Sequence, residues 1–281
     1  MRRSDRTGIV AAVGATAVLF GFVALPILAI FLRVPVSTLL AQLGSHVALQ
    51  ALLVSLRSTA VALVVIVLFG TPAAYILGTK RFRGSRTLTA ILELPLVLPP
   101  AVAGIALFAA FGRFGLLGGT LRAFGIELPF TEAAVVLALT YVALPFYTRQ
   151  AVAAFASMDH ELLGASRTLG AGRTATFFHV ALPLARQGLS AGAALAWARA
   201  LGEFGATILF AGSLVGKTQT LPLAIYEQFS AGNTNAALAM SALLVTVSAT
   251  LFVGVRLFLR TRPVAEVPEW DRPLRSSSAT V

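Results

Sequence analysis

The chain has 281 residues, of which 57% are hydrophobic and 12% charged, about half the charged share of a soluble domain. A chain so poor in charge cannot be solvated as a globule and reads as an integral membrane protein. Its formal net charge of +11 does not argue for nucleic acid, because the 22 Lys and Arg fall between apolar runs, and the lack of any cysteine excludes disulfides, iron–sulfur clusters and thiol catalysis.

The basic start, MRRSDRTG, is read as a tail over residues 1–8 and precedes an apolar run from Ile9 to Leu32. At 24 residues that run exceeds the core of a signal peptide, about 7–15 residues, so it is expected to stay as a first span. A second run, Ala48 to Leu77, is interrupted by Ser55, Arg57, Ser58 and Thr59 and ends in the basic segment Lys80–Arg86. Arg57 is a weaker candidate for a route residue than Arg199, with snorkelling towards the headgroups as the plainer alternative. The third run, Leu88 to Phe111, contains LPLVLPPAVAG, and its Pro95, Pro99 and Pro100 each remove a backbone donor and crowd the preceding turn. A kink or break follows, of the kind that transporters place beside a route, with Ala101, Ala103 and Gly104 allowing close helix contact.

The fourth run spans Ala133 to Tyr147, the fifth Gly188 to Gly212 and the sixth Ala236 to Leu259. Each is near the roughly 20 residues that cross the hydrocarbon core. Beyond them, the segment over 261–281, with Pro263, Pro268, Pro273 and three consecutive serines, is expected to be a disordered tail. The expected architecture is therefore an all-α polytopic membrane protein with a membrane domain over 9–260. Placing both termini inside puts 15 Lys and Arg in inner segments and 4 in outer ones, so both termini are expected to be cytoplasmic.

Between the fourth and fifth runs lies GASRTLGAGRTATFFHVALPLA, Gly164 to Ala185. It reads as a short helix stopped at Gly170 and Gly172, then a second helical stretch that meets Pro183. A stiff helix–glycine–helix within a loop over about 157–183 is unusual where connections are normally short. An ordinary amphipathic linker is the alternative.

This segment resembles the EAA loop of the membrane subunits of bacterial ABC importers. That pattern is Glu-Ala-Ala, three residues, Gly, nine residues, Ile-x-Leu-Pro. Ala165 fills the first Ala, Gly170 the Gly, Val180 the Ile, and Leu182 and Pro183 the Leu-Pro. Gly164 stands in place of the Glu and Ser166 in place of the second Ala, and Glu161, one turn earlier, is the nearest carboxylate. The resemblance implies a coupling helix that docks into a groove of a separate ATPase subunit, with Gly164, Ala165, Ser166 and Gly170 as its close-packing face. ATP and magnesium then belong to the partner, and this chain is expected to hold no cofactor or metal and to catalyse nothing.

In the fifth run Arg199 and Glu203 lie four apart, on one helical face. Charges at that depth mark either a route or a latch that fixes packing, and both readings stay open. The stretches RALGEFGAT (199–207), TLPLAIY (220–226) and LPLVLPPAVAG (94–104) resemble the molybdate permease subunits of the oxyanion-importer group, over roughly residues 50–258. Tungstate is the near twin, and a sulfate or thiosulfate permease is the alternative. The resemblance implies a type I importer fold in a bacterial or archaeal cell membrane. It also implies a homodimer with two ATPase subunits and one external oxyanion-binding protein. Arg199, Glu203, Phe204, Pro99 and Pro100 would line or gate the path. A passive anion channel leaves the loop spacing unexplained, as does a receptor or scaffold. A membrane enzyme lacks its residues, since Glu93 and Glu203 are distant in sequence and His46, His160 and His179 are scattered.

The stretch AGSLVGKTQT, from Ala211 to Thr220, imitates a phosphate-binding loop. The strict spacing puts a Gly where Ala211 stands, with Gly212 one residue late, and Pro222 interrupts any helix that would follow. It is read instead as an outer loop, with Lys217 and Thr218 facing the docked binding protein.

Overall fold

The computed structural model describes residues 3–80 and 82–260, and every described element is helical. The expected disordered tail over 261–281 lies outside the described residues. The helices are α1 (Arg3–Arg33), α2 (Val36–Leu43), α3 (His46–Thr79), α4 (Ser85–Val97), α5 (Pro100–Phe111), α6 (Gly118–Ala123), α7 (Glu132–Ala156), α8 (His160–Thr168), α9 (Arg173–Thr176), α10 (Leu182–Leu201), α11 (Gly205–Phe210), α12 (Leu221–Ser230) and α13 (Thr234–Arg260). A π-helical turn over Phe177–Ala181 joins α9 to α10. The first helix begins at Arg3, so the basic start and the first apolar run form one continuous element.

Four described helices are long and apolar enough to cross a membrane, over Ala12–Arg33, His46–Thr79, Glu132–Ala156 and Thr234–Gly254. The bent pair α4 and α5 makes a fifth if counted as one span. The two run at 115° to each other across Leu98 and Pro99, so the proline cluster produces a full break. The physical cause is local. Leu98 precedes a proline and is extended at φ −74°, ψ 131°, Pro99 is extended too, and Pro100 restarts the helix where its missing N–H costs nothing.

The fifth apolar run, expected as one span over Gly188–Gly212, is corrected by the structure. The helix already starts at Leu182, ends at Leu201, and α11 resumes at Gly205. Glu203 and Phe204 lie in the gap, so the Arg199–Glu203 spacing is not that of an unbroken helix.

The core is built on α3, α7 and α10. The first two run parallel in a constant register: Arg57 pairs with Glu132 near one end, and Thr71 Oγ1 lies 2.5 Å from the Tyr147 hydroxyl further along. The third is antiparallel to α7. A Cβ on Gly188 would meet Ala154 at 2.4 Å, and one on Gly192 would meet Gln150 and the Tyr147 carbonyl at 3.1 Å. Small residues bring the helices together: Ala62, Ala74, Ala134, Ala138, Ala143, Ala151, Ala185 and Ala196 are all buried. Between membrane helices such packing supplies the attraction that hydrophobicity supplies in water. A smaller cluster of Ala48, Ala51, Leu221, Ala224 and Met240 ties α12 and α13 to the start of α3. The first helix leans on α13 and leaves Phe20, Phe22 and Leu25 exposed, as a lipid-facing helix would.

Candidate functional site

Two groups of residues singled out in the sequence come together, at the α8 end of the core and at the helix breaks within it. At the α8 end, Asp159 caps the helix by accepting the Glu161 N–H at 2.8 Å. The helix is fixed inward by Leu163, which is 5% exposed and joins the core beside Phe155 and Ala181. Ser166 adds a hydroxyl contact of 3.2 Å to the buried Thr176. The opposite stripe, Glu161, Gly164, Ala165 and Thr168, faces outwards. A Cβ on Gly164 would meet nothing within 4 Å. Gly170 stops the helix with φ +88°, a conformation that side chains resist, and leaves an exposed corner. Of the expected docking face, Gly164, Ala165 and Gly170 are presented, whereas Ser166 is turned inwards.

The same corner connects directly to the core. Val180 and Leu182 pack on it, half-buried. Pro183 is exposed and does not stop the helix. It has no N–H and its ring crowds the carbonyl four residues back, and the widened turn over Phe177–Ala181 absorbs that defect. Phe177, on that turn, meets Tyr75 of α3 at a ring-centroid distance of 4.9 Å, and Tyr75 meets Phe155 of α7 at 5.4 Å, both edge-on. These three rings had no signal in the sequence beyond being aromatic, because the elements that carry them are far apart along the chain.

Further along the core, Arg199, Glu203, Phe204 and Pro100 converge. Arg199 Nη2 is 2.6 Å from Glu203 Oε2. The other oxygen, Oε1, accepts the Ala206 N–H at 2.8 Å and so caps α11. Glu203 is 2% exposed and fully committed, while the Arg199 side chain remains 27% exposed. Phe204 stacks at a tilt on Tyr226 of α12, 4.8 Å between centroids. The two breaks touch: a Cβ on Gly205 would lie 2.6 Å from that of Pro100, and one on Gly104 would lie 2.9 Å from the Ala206 carbonyl. Pro99 is exposed beside this contact.

The imitation phosphate loop has another structure. The amides of Lys217, Thr218 and Gln219 all converge on the Leu214 carbonyl, at 2.9 to 3.0 Å, so none of them is free for a phosphate. Thr218 is a correction: it is fully buried, its hydroxyl accepting the Leu214 N–H at 2.9 Å, and cannot face a partner. Lys217 is exposed. The neighbouring Gly216 sits over Gln50 near the start of α3. At the turn between α5 and α7 a cleft of about 340 Å³ is lined by Arg113, Arg122, Phe114 and Phe130.

Two further ion pairs escaped the sequence. Arg57 grips Glu132 with both Nε and Nη2 while its side chain stays largely exposed. Arg149 lies 3.9 Å from Glu93 of α4. Among the described residues no group of three or more His, Asp or Glu side chains is arranged to hold a metal ion.

Residues 68–262 match the family described as binding-protein-dependent transport system inner membrane component. The chain is 46% identical over 236 residues to the molybdenum transport system permease protein ModB of Mycobacterium bovis, covering 83% of this chain and 88% of that protein. Among solved structures, it is similar to a bacterial ABC transporter involved in the import of the acidic polysaccharide alginate. The TM-score is 0.71 at 14% identity, over 91% of this chain and 96% of that one. It is also similar to the MetNI methionine ABC transporter in inward-facing conformations, with a TM-score of 0.62 at 21% identity, over 76% of this chain and 95% of that one.

Proposed function

Because the chain belongs to the binding-protein-dependent transport system inner membrane component family and is a multi-pass permease of an ABC importer, we propose that it carries molybdate, or its near twin tungstate, into the cell. The substrate is inferred from the molybdenum permeases to which the chain is similar. In this reading the chain crosses a bacterial or archaeal cell membrane six times, α10 with α11 making the fifth crossing and α13 the sixth, and both termini are cytoplasmic. Two copies associate with two ATPase subunits and receive the anion from an external binding protein.

The observation that carries the reading is the corner at α8. A lever must be stiff, open on its docking face and joined to what it moves. The corner has an exposed stripe at Glu161, Gly164 and Ala165 and a core contact through Leu163. It also has a continuous helical path from α9 through the π turn into α10, which leads to Arg199. Closure of the ATPase pair moves α8, the Tyr75–Phe155–Phe177 rings pass that displacement to α3 and α7, and the contact at Pro100 and Gly205 opens or closes. Arg199 supplies positive potential to an oxyanion at that level, with Glu203 fixing its position. Hydrolysis of ATP is the partner's work. Lys217, at the outer end, faces the binding protein.

Co-purification tests the coupling. The chain should retain its ATPase subunit in detergent, and Gly170→Asp should release it. A complex that survives that change with uptake intact would refute the docking role of α8. A sulfate or thiosulfate permease would show itself by sulfate competing with molybdate on equal terms.

A further inference from the structure

The described bundle carries three arginine–glutamate pairs, and they differ in closure. Arg57 and Glu132 are joined by two contacts, and Arg199 is 2.6 Å from a carboxylate that is almost wholly buried. Arg149 reaches Glu93 only through Nε at 3.9 Å, and its side chain is 73% exposed. Its guanidinium therefore keeps most of its five donors uncommitted.

Its depth makes this unusual. Arg149 lies seven residues before the end of α7 at Ala156, about 10 Å along the axis. The antiparallel register of α7 and α10, with Gly192 beside Gln150 and Gly188 beside Ala154, sets Arg199 level with about Val142. Arg149 is thus one to two turns inward of Arg199, roughly 10 Å, on the side of the α8 corner. An exposed, loosely paired guanidinium at that depth is costly against lipid, so the flank that bears it borders water or another charged group. Its Nε lies towards Glu93. That carboxylate sits on α4, a helix with no buried residue, attached to α5 through the 115° break. Glu93 is thus carried by a helix that lies against α7 without burying a residue of its own.

We propose that Arg149 is a second anion-binding position of the translocation path, inward of Arg199, loosely neutralised by Glu93 in this conformation. The inference rests on the oxyanion-import reading above. A tetrahedral dianion presents pairs of oxygens that match the fork of a guanidinium, and it replaces the single, long Glu93 contact with two short ones. Displacement of α4 takes the competing Glu93 carboxylate away from Arg149, and its return ejects the anion towards the α8 side.

The test is ATP-driven uptake of molybdate into vesicles containing the full complex and its binding protein, with Arg149→Gln, Arg149→Lys and the exchange Arg149→Glu/Glu93→Arg. The account expects Arg149→Gln to lower uptake roughly tenfold or more, and Arg149→Lys to retain part of it, since a point charge lacks the fork. The exchange should restore the thermal midpoint of the complex and leave uptake at the Arg149→Gln level, because position 149 then repels the anion. Recovery of uptake in the exchange, or normal uptake in Arg149→Gln, would reduce the pair to a packing contact and overturn the inference alone. Absence of uptake by the unaltered complex would overturn the import reading and this inference with it.

Discussion

Pro100 and Gly205 are in contact at the point where two helices of the core are both interrupted. The space for a Cβ on Gly205 is already taken by the Pro100 ring, at 2.6 Å. A methyl there pushes the two breaks apart. Gly205→Ala is expected to cost about 1–3 kcal/mol, as overpacking does, and to make the barrier to anions leaky. Thermal unfolding in detergent and ATP-independent anion flux would read both effects. An unchanged midpoint and a tight barrier would mean that the contact is looser than it stands here.

The proposed docking face of α8 predicts a split between folding and coupling. Nothing lies within 4 Å of a Cβ on Gly164, so Gly164→Leu should leave stability within about 0.5 kcal/mol while blocking the ATPase subunit. Gly170→Ala, by contrast, is forced into φ +88° and should lose about 1–2 kcal/mol locally. Pull-down of the ATPase subunit together with thermal unfolding separates the two, and a Gly164→Leu chain that captures its partner normally would remove the face from the account.

Glu203 holds two groups at once, the Arg199 guanidinium and the Ala206 amide. Glu203→Ala leaves a partly buried cation unpaired and α11 uncapped, with an expected loss of about 3–5 kcal/mol. Arg199→Lys keeps the charge and should lose less stability than uptake. If Arg199→Ala transported molybdate normally in vesicles, the pair would be a packing feature only.

Phe177 joins the turn at the base of α10 to Tyr75 of α3. Phe177→Ala is expected to cost roughly 1–3 kcal/mol and, more tellingly, to lower the number of anions imported per ATP hydrolysed. Parallel assays of hydrolysis and uptake on one preparation give that ratio. A proportional fall in both would assign the ring to stability alone.

What the sequence disclosed followed from local pattern. Hydropathy marked the apolar runs, and the spacing of Gly170 with Leu182 and Pro183 marked the α8 corner, because both depend on neighbours along the chain. Pro99 and Pro100 announced a break for the same reason, though not its angle. The gap at Glu203 was hidden by an i,i+4 spacing that also occurs in unbroken helices. Thr218 was misplaced because exposure in a loop depends on hydrogen bonds such as that to Leu214, which hydrophilicity does not report. Pairs such as Arg57 with Glu132, 75 residues apart, and Arg149 with Glu93 arise only when parallel or neighbouring helices adopt a register. Nothing in the local pattern specifies that register.

The most direct test of the central claim is uptake into vesicles holding the chain, its ATPase subunit and the oxyanion-binding protein, with molybdate, tungstate and sulfate in competition. The account predicts molybdate accumulation that requires both ATP and the binding protein, suppressed by tungstate and indifferent to an equal concentration of sulfate. Molybdate flux that proceeds without ATP, or uptake that sulfate suppresses as well as tungstate does, would contradict it.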